Sequence, residues 1–225
     1  MRRPPILLIA GTDTGVGKAW TGCALAGALG LNYRRIVAVK PIETGCAGAP
    51  SDTEDGVALA RATGQAAPLQ ALFRFREPVA PSEGADREGR RIEFDDLIQR
   101  IREYAACAES VLSEGAGGLL SPLTWEKNAV DLARALDACI LLVAVEQLGT
   151  IRHTLMALRL QELHQVELLG VVVTAPDEPD ASTGSNAAAI ARLSGCSRIL
   201  CAPRTRDPDA SSQSMQEVTR WLHLV

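Results

Sequence analysis

Aromatic side chains are scarce in this chain, 4% of 225 residues, and positive charge is not in excess, the formal net charge being −4. Proteins hold nucleic acids with aromatic stacking platforms and with stripes of Lys and Arg. Lacking both, the chain is not expected to bind nucleic acid. Histidine is scarcer still: His153, His164 and His223 lie far apart, with no metal-ligand spacing. The six cysteines (Cys23, Cys46, Cys107, Cys139, Cys196 and Cys201) form no C-x-x-C pair and read as structural thiols rather than a zinc or redox centre. Cys139 falls within a hydrophobic run and is expected to be buried. Long apolar runs are missing as well. Met-Arg-Arg-Pro-Pro is followed only by Ile6 to Ala10 before Gly11, too short for a signal-peptide core or a membrane span. The expectation is a cytoplasmic protein without membrane contact.

What the chain does have is aliphatic carbon in short, spaced runs. The hydrophobic share of 47% comes mostly from Ala, Leu, Val and Ile, and the length suits one α/β domain spanning residues 1–225. Ile- and Val-rich runs predict strands at Ile6–Ala10, Ile36–Lys40, Ser110–Glu114, Cys139–Val145 and Leu168–Thr174, with a weaker one at Arg198–Cys201. Apolar residues at three- and four-residue spacing predict helices over Ala19–Leu29, Thr53–Ala62, Phe94–Ala106, Ala129–Leu136, Arg152–His164 and Ala187–Leu193. A last helix is expected from Ser214-Met-Gln-Glu217, which has the form of a capping box. Strands apolar on both faces, alternating with helices, predict a mainly parallel sheet with helices on both faces.

Such sheets take ligands beyond the carboxyl ends of their strands. The residues after the first four runs are the chemically unusual ones: Gly11-Thr-Asp-Thr-Gly-Val-Gly-Lys18, Lys40-Pro-Ile-Glu-Thr-Gly45, Glu114-Gly-Ala-Gly-Gly118 and Glu146-Gln-Leu-Gly-Thr150. Four polar or Gly-rich loops therefore converge on one edge. Gly45 to Ser51 and Arg76 to Arg90, rich in Gly, Pro and charge, read as long loops near it.

The first loop has the composition of a phosphate cradle. Between a strand and a helix it directs backbone N–H groups and the positive end of the helix dipole at one point, and Lys18 can reach the outer phosphates. Two features depart from the common pattern: five residues separate Gly11 from Gly17, and Ala19 stands where a Ser or Thr hydroxyl usually helps hold Mg²⁺. Glu114, opposite that loop, suits a metal ligand, because Mg²⁺ takes a few carboxylates together with phosphate oxygens. Asp52, Glu54 and Asp55 open a helix, where the dipole alone accounts for acidic residues as well as a metal would. Lys40, ending a strand, reads either as a lysine snorkelling into water or as a second cation for a transferring phosphate.

Taken together, "GTDTGVGK", "VKPIETGC", "EGAGGLLSPL" and "LGTIRHTLMAL" resemble the ordered motifs of the ATP-dependent dethiobiotin synthetases, from about Ile6 to about Asn186. The five-residue spacing inside the loop is that family's own. The resemblance implies a P-loop NTPase-like fold, a homodimer with substrate near the subunit interface, and cyclisation of 7,8-diaminononanoate with CO₂ (or bicarbonate) and ATP, assisted by Mg²⁺. It implies catalytic roles for Lys18 and Lys40 and a substrate contact for Thr44. Asp55 and Glu114 match metal ligands. Thr14, Gly15, Val16, Gly17, Lys18, Ala19 and Trp20 match nucleotide contacts, as do Asp55, Glu114, Gly115, Ala116 and Gly117. On the base side the matching positions are Thr174, Pro203, Arg204 and Thr205.

The chain departs from the family pattern at several positions. Ala19 replaces a metal-binding Thr, Thr174 an adenine-reading Asn, and Arg152 an Asn, while Ala80 to Ala85 lacks a His common after the proline. Ala19 and Thr174 leave a second reading open, a non-catalytic or regulatory nucleotide-binding relative. A third, a partitioning ATPase, expects an additional early lysine where this chain has Gly11 and Thr12.

Overall fold

A computed structural model describes residues 6–222. From β1 (Ile6–Gly11) the chain enters α1 (Lys18–Gly30), returns as β2 (Ile36–Val39), and makes a short β3 (Ile42–Thr44) before α2 (Asp55–Thr63). There follow β4 (Phe73–Phe75), α3 (Pro81–Arg87), α4 (Phe94–Ala106), β5 (Ser110–Gly118), α5 (Ala129–Leu136) and β6 (Cys139–Val145). Next come α6 (Thr150–Leu163), β7 (Leu168–Thr174), α7 (Asn186–Ser194), β8 (Ile199–Ala202), α8 (Pro208–Ser214) and α9 (Gln216–Leu222). Six strands pair in parallel in the order β2-β5-β1-β6-β7-β8, and β3 pairs with β4, also in parallel, as a separate ribbon.

Strand periodicity divides the core in two. Successive side chains point to opposite faces, so Ile6, Leu8 and Ala10 of β1 join Ile140 and Leu142 of β6 on one face, under Leu97 and Ile101 of α4 and Leu132 of α5. Leu7 and Ile9, with Leu141 and Val143, pack on the other face against Leu25 and Leu29 of α1 and Val218 and Trp221 of α9. Both faces are dry, which is why these strands read as continuous apolar runs. No helix among the described residues is long and apolar enough to cross a membrane. Cys139 is buried as expected, and all six cysteines are free thiols.

Several boundaries differ from the sequence reading. β5 runs on to Gly118 rather than stopping at Glu114, and its register against β1 slips: Ile9 faces Glu114, but Gly11 faces Gly118. The third Gly-rich segment is thus not a loop but a bulged strand end, and bulges re-aim side chains. The stretch from Arg76 to Arg90 is not one long loop, because Pro81 opens α3 at its first turn. The final helix is two short ones, with Asp207 rather than Ser214 accepting a helix-start N–H, from Asp209. β3 and β4, three residues each, are too short to show an alternating pattern in the sequence.

α2 sits close to the 70–71 segment because Gly56 has no side chain: a Cβ there would lie 2.4 Å from the backbone N of Ala71. Backbone cannot give way as a flexible side chain can. Gly56→Ala is expected to cost about 2 kcal/mol through overpacking, lowering the Tm by about 4–8 °C for a chain of this size. Gly30→Ala, whose Cβ meets nothing within 4 Å, should leave the Tm unchanged or slightly higher. Thermal denaturation of both variants checks this; equal Tm values would refute the close-approach account.

Candidate active site

The carboxyl ends of β1, β2 and β5 open onto a cleft of about 650 Å³. Its floor is the loop between β1 and α1. Gly17 caps α1 with a left-handed φ of 93° and no side-chain cap, so the helix presents its first N–H groups to the cleft. Gly11 gives room for Lys18 to fold back: a Cβ there would lie 2.9 Å from the Lys18 Nζ. That Nζ donates to the Asp13 carbonyl at 3.0 Å and has no ion-pair partner among the described residues. Burial, and next the charge of Lys40, lower its pKa. Both pressures would be relieved by an anion.

Opposite stands a buried ion cluster. The Lys40 ammonium donates to Asp55 Oδ2 at 2.8 Å and to Glu114 Oε1 at 2.5 Å. Lys40 is 4% exposed and Glu114 1%, which rules out the snorkelling alternative. Asp55 is placed by Glu43, a residue to which the sequence reading gave no role. The Glu43 carboxylate accepts from the backbone N–H groups of Asp55 at 2.5 Å and Gly56 at 3.0 Å, fixing the start of α2. The other two acids of that segment turn elsewhere: Asp52 pairs with Arg61, and Glu54 with the guanidinium of Arg74. Only Asp55 of the three borders the cleft.

Burial pushes Glu114 up, with Lys40 opposing and Asp55 reinforcing the shift, to about 7. Burial would lower Lys40, but the charges of Glu114 and Asp55 and their hydrogen bonds outweigh it, so its pKa rises. Asp55 moves the other way: burial would raise it, but the charge of Lys40 and their hydrogen bond outweigh that, so its pKa falls. Glu114 Oε2 is also buried without any hydrogen-bond partner. An orphaned carboxylate oxygen beside an anion-binding loop fits a divalent cation held by oxygen ligands.

Of the residues singled out from sequence, Thr14, Gly15, Gly17, Lys18, Ala19, Trp20, Lys40, Thr44, Asp55, Glu114, Ala116, Gly117 and Arg204 all border this cleft. Val16 borders an adjoining cavity of about 430 Å³, shared with Thr14, Gly15 and Arg204. Gly115, Thr174, Pro203 and Thr205 border neither, and nor does Arg152. Gly115 is buried within β5, and Thr205 contributes its backbone carbonyl, which accepts from the indole N–H of Trp20 at 2.8 Å. Thr174 is fully buried beneath the loop, donating to the Val16 carbonyl at 2.8 Å with the Ala144 carbonyl at 3.2 Å. The cleft also takes in Ile42, Glu43, Pro78 to Pro81, Ser121 and Pro122. Their only sequence signal was their place after strands and in proline-rich turns.

A family model described as an AAA domain matches residues 6–212. The chain is 41% identical over 192 residues to the ATP-dependent dethiobiotin synthetase BioD of Anaeromyxobacter dehalogenans, covering 83% of this chain and 84% of the relative. It is 35% identical over 211 residues to the protein of the same name from Caulobacter vibrioides, covering 92% and 95%. Among solved structures, the MinC:MinD cell division protein complex of Aquifex aeolicus aligns with a TM-score of 0.60 at 13% identity, over 98% of this chain and 96% of that one. A ParA family ATPase from Chlorobium tepidum aligns at 0.57 and 14%, over 99% and 92%. At such identities these structures bear on the fold alone, and they agree with a P-loop NTPase-like parallel sheet.

Because Lys40 neutralises two carboxylates, one of them fully buried, its removal is a stability experiment as well as a catalytic one. Lys40→Ala leaves uncompensated buried charge and is expected to cost about 3 kcal/mol, lowering the Tm of the nucleotide-free protein by about 6–12 °C. Adding Glu114→Gln removes that charge and should restore part of the loss. If thermal denaturation shows the double variant no more stable than Lys40→Ala alone, the counterion role is wrong.

Proposed function

The chain belongs to the ATP-dependent dethiobiotin synthetase family, and on that footing we propose how its cleft carries the reaction. It uses ATP to cyclise 7,8-diaminononanoate with CO₂, giving dethiobiotin for biotin synthesis. One amine adds to CO₂ and loses a proton, forming a carbamate. A carbamate oxygen then takes the γ-phosphoryl group, releasing ADP. The second amine attacks the carbamoyl carbon and loses a proton as phosphate leaves, and the ureido ring closes.

The observation that carries this reading is the pairing of two buried lysines across one cleft, Lys18 without a carboxylate partner among the described residues and Lys40 between two. Thr14, Gly15, Val16 and Gly17, with the N-terminus of α1, cradle the phosphates. Lys18 receives the outer phosphates, and Lys40 stabilises the charge on the transferring group, as phosphoryl transfer demands. A Mg²⁺ ion held by Asp55 and Glu114 would neutralise phosphate charge alongside them. At the other end of the cleft Thr44, the turn from Pro78 to Pro81, and Ser121 shape a chamber for the diamine. Ala116 and Gly117 line its β5 wall. We read residues 1–225 as one cytoplasmic domain acting as a homodimer, to which the exposed Leu148, Met156 and Leu163 in and before α6 lend apolar surface.

Ala19 favours one alternative, a nucleotide-binding relative without turnover, since the cleft offers no hydroxyl at that position. The loss is modest if both carboxylates remain. Water can fill the vacated ligand position, and exchanging one neutral oxygen for another costs about 1–2 kcal/mol.

Purified protein supplied with diaminononanoate, bicarbonate, Mg²⁺ and ATP should form dethiobiotin and phosphate together. No product from folded, ATP-binding protein at any Mg²⁺ concentration would put the non-catalytic reading in its place. Ala19→Thr should lower the Mg²⁺ concentration for half-maximal turnover by about tenfold. Glu114→Ala should leave little activity at any Mg²⁺ concentration, and near-normal turnover in that variant would remove Glu114 from the metal site.

A further inference from the structure

The sheet order gives a bound triphosphate a direction. Lys40 and Glu114 come from β2 and β5, on one side of the loop that follows β1. The transferring end of the triphosphate must face them, so its nucleoside end leaves toward β7 and β8. The first side chain expected to meet a base there, Thr174, is turned away, its hydroxyl bonded to the Val16 carbonyl. Among the described residues no Asn or Gln side chain borders this cleft; Gln147 belongs to the adjoining cavity. The groups that reach it from this end are flat ones: the indole of Trp20 from α1 and the guanidinium of Arg204 from the segment after β8.

Both are held in place. The Trp20 ring is half-buried against the core, and its N–H donates to the Thr205 carbonyl at 2.8 Å, so it cannot rotate freely. The Arg204 side chain is 28% exposed and reaches Asp177 at 3.4 Å. Resting on the proposed use of a nucleoside triphosphate, we propose that Trp20 is the residue that binds the nucleobase, whichever base it is. The base stacks on its indole face with Arg204 as the neighbouring cation, and no side-chain amide reads the base edge. Every nucleobase has a π face, so stacking of this kind is tolerant of base identity. The protein therefore accepts ATP, GTP, CTP and UTP with little preference, and Trp20 contributes to the binding of all four.

The test is calorimetric titration of wild type, Trp20→Ala and Trp20→Phe with each of the four nucleotides and with inorganic tripolyphosphate, all with Mg²⁺. In wild type the four Kd values should lie within about tenfold of one another. Trp20→Ala should weaken all four by about tenfold and leave tripolyphosphate unchanged. Trp20→Phe, which keeps an aromatic face but loses the hydrogen bond to Thr205, should bind all four nearly as wild type does. A preference for ATP of a hundredfold or more over the other three would overturn the proposal, as would unchanged nucleotide affinity in Trp20→Ala. Equal weakening of tripolyphosphate, or a Trp20→Phe variant as weak as Trp20→Ala, would reduce Trp20 to a prop for the 203–206 loop. Parallel assays for dethiobiotin keep the two readings apart: the expected binding pattern without product from any nucleotide removes the reaction and leaves the base site standing.

Discussion

One ammonium between two carboxylates organises this molecule. Burying Lys40, Asp55 and Glu114 together costs desolvation that only close, complete pairing can offset, and three separate parts of the chain are shaped to supply it. β2 ends where Pro41 turns the chain, holding Lys40 at the sheet edge. Glu43, two residues beyond, ties down the N-terminus of α2 and with it Asp55. The bulge that shifts β5 against β1 comes directly after Glu114. Gly22 of α1 belongs to the same design: a Cβ there would lie 3.8 Å from Glu114 Oε2 and only 2.8 Å from a Leu59 methyl. The close approach of α1 to α2 and the placing of Glu114 thus depend on one another.

The cluster also sets the electrostatic terms on which a nucleotide enters. With both acids ionised, two carboxylates face two ammoniums, Lys40 committed to the acids and Lys18 not. A triphosphate carries more negative charge than Lys18 and one helix terminus can answer. A divalent cation held beside these carboxylates would supply the missing positive charge.

How much of this was legible in the sequence depended on the length of the signal. Phe94–Ala106 and Ala129–Leu136 fold over the residues their periodicity predicts, because each buries one clear apolar stripe, and α5 adds a capping box at Asn128. β3, β4 and α3 are too short to establish a period, and Pro81, which opens a helix, was read as punctuation in a loop. In the site, Lys18, Lys40 and Glu114 could be found because strand ends concentrate unusual chemistry, whereas Asp55, which opens α2, stood out from Asp52 and Glu54 only through the family resemblance. Glu43 could not, since its partners are backbone N–H groups that no side-chain motif encodes. Direction was equally hidden: that Thr174 ends a strand could be read from its neighbours, but not that its hydroxyl turns inward.

That inward turn explains how the loop keeps its shape without the usual hydroxyl at position 19. Gly17 lies against Thr174, a Cβ at Gly17 falling 3.1 Å from the threonine methyl, and the Thr174 hydroxyl holds the Val16 carbonyl from below. The loop is therefore fixed from the sheet side by packing and one hydrogen bond. A hydroxyl at position 19 would act toward the cleft instead, so its absence leaves the loop's geometry alone. The exchange at position 174 has the reverse character. A longer amide could reach outward to a base edge, whereas a threonine satisfied by backbone carbonyls supports the phosphate loop and hands recognition of the nucleoside to whatever flat surfaces remain. The support of the loop after β1 is thus separable from whatever meets a base: the loop is braced by Thr174 of β7, whose hydroxyl is spent on that contact.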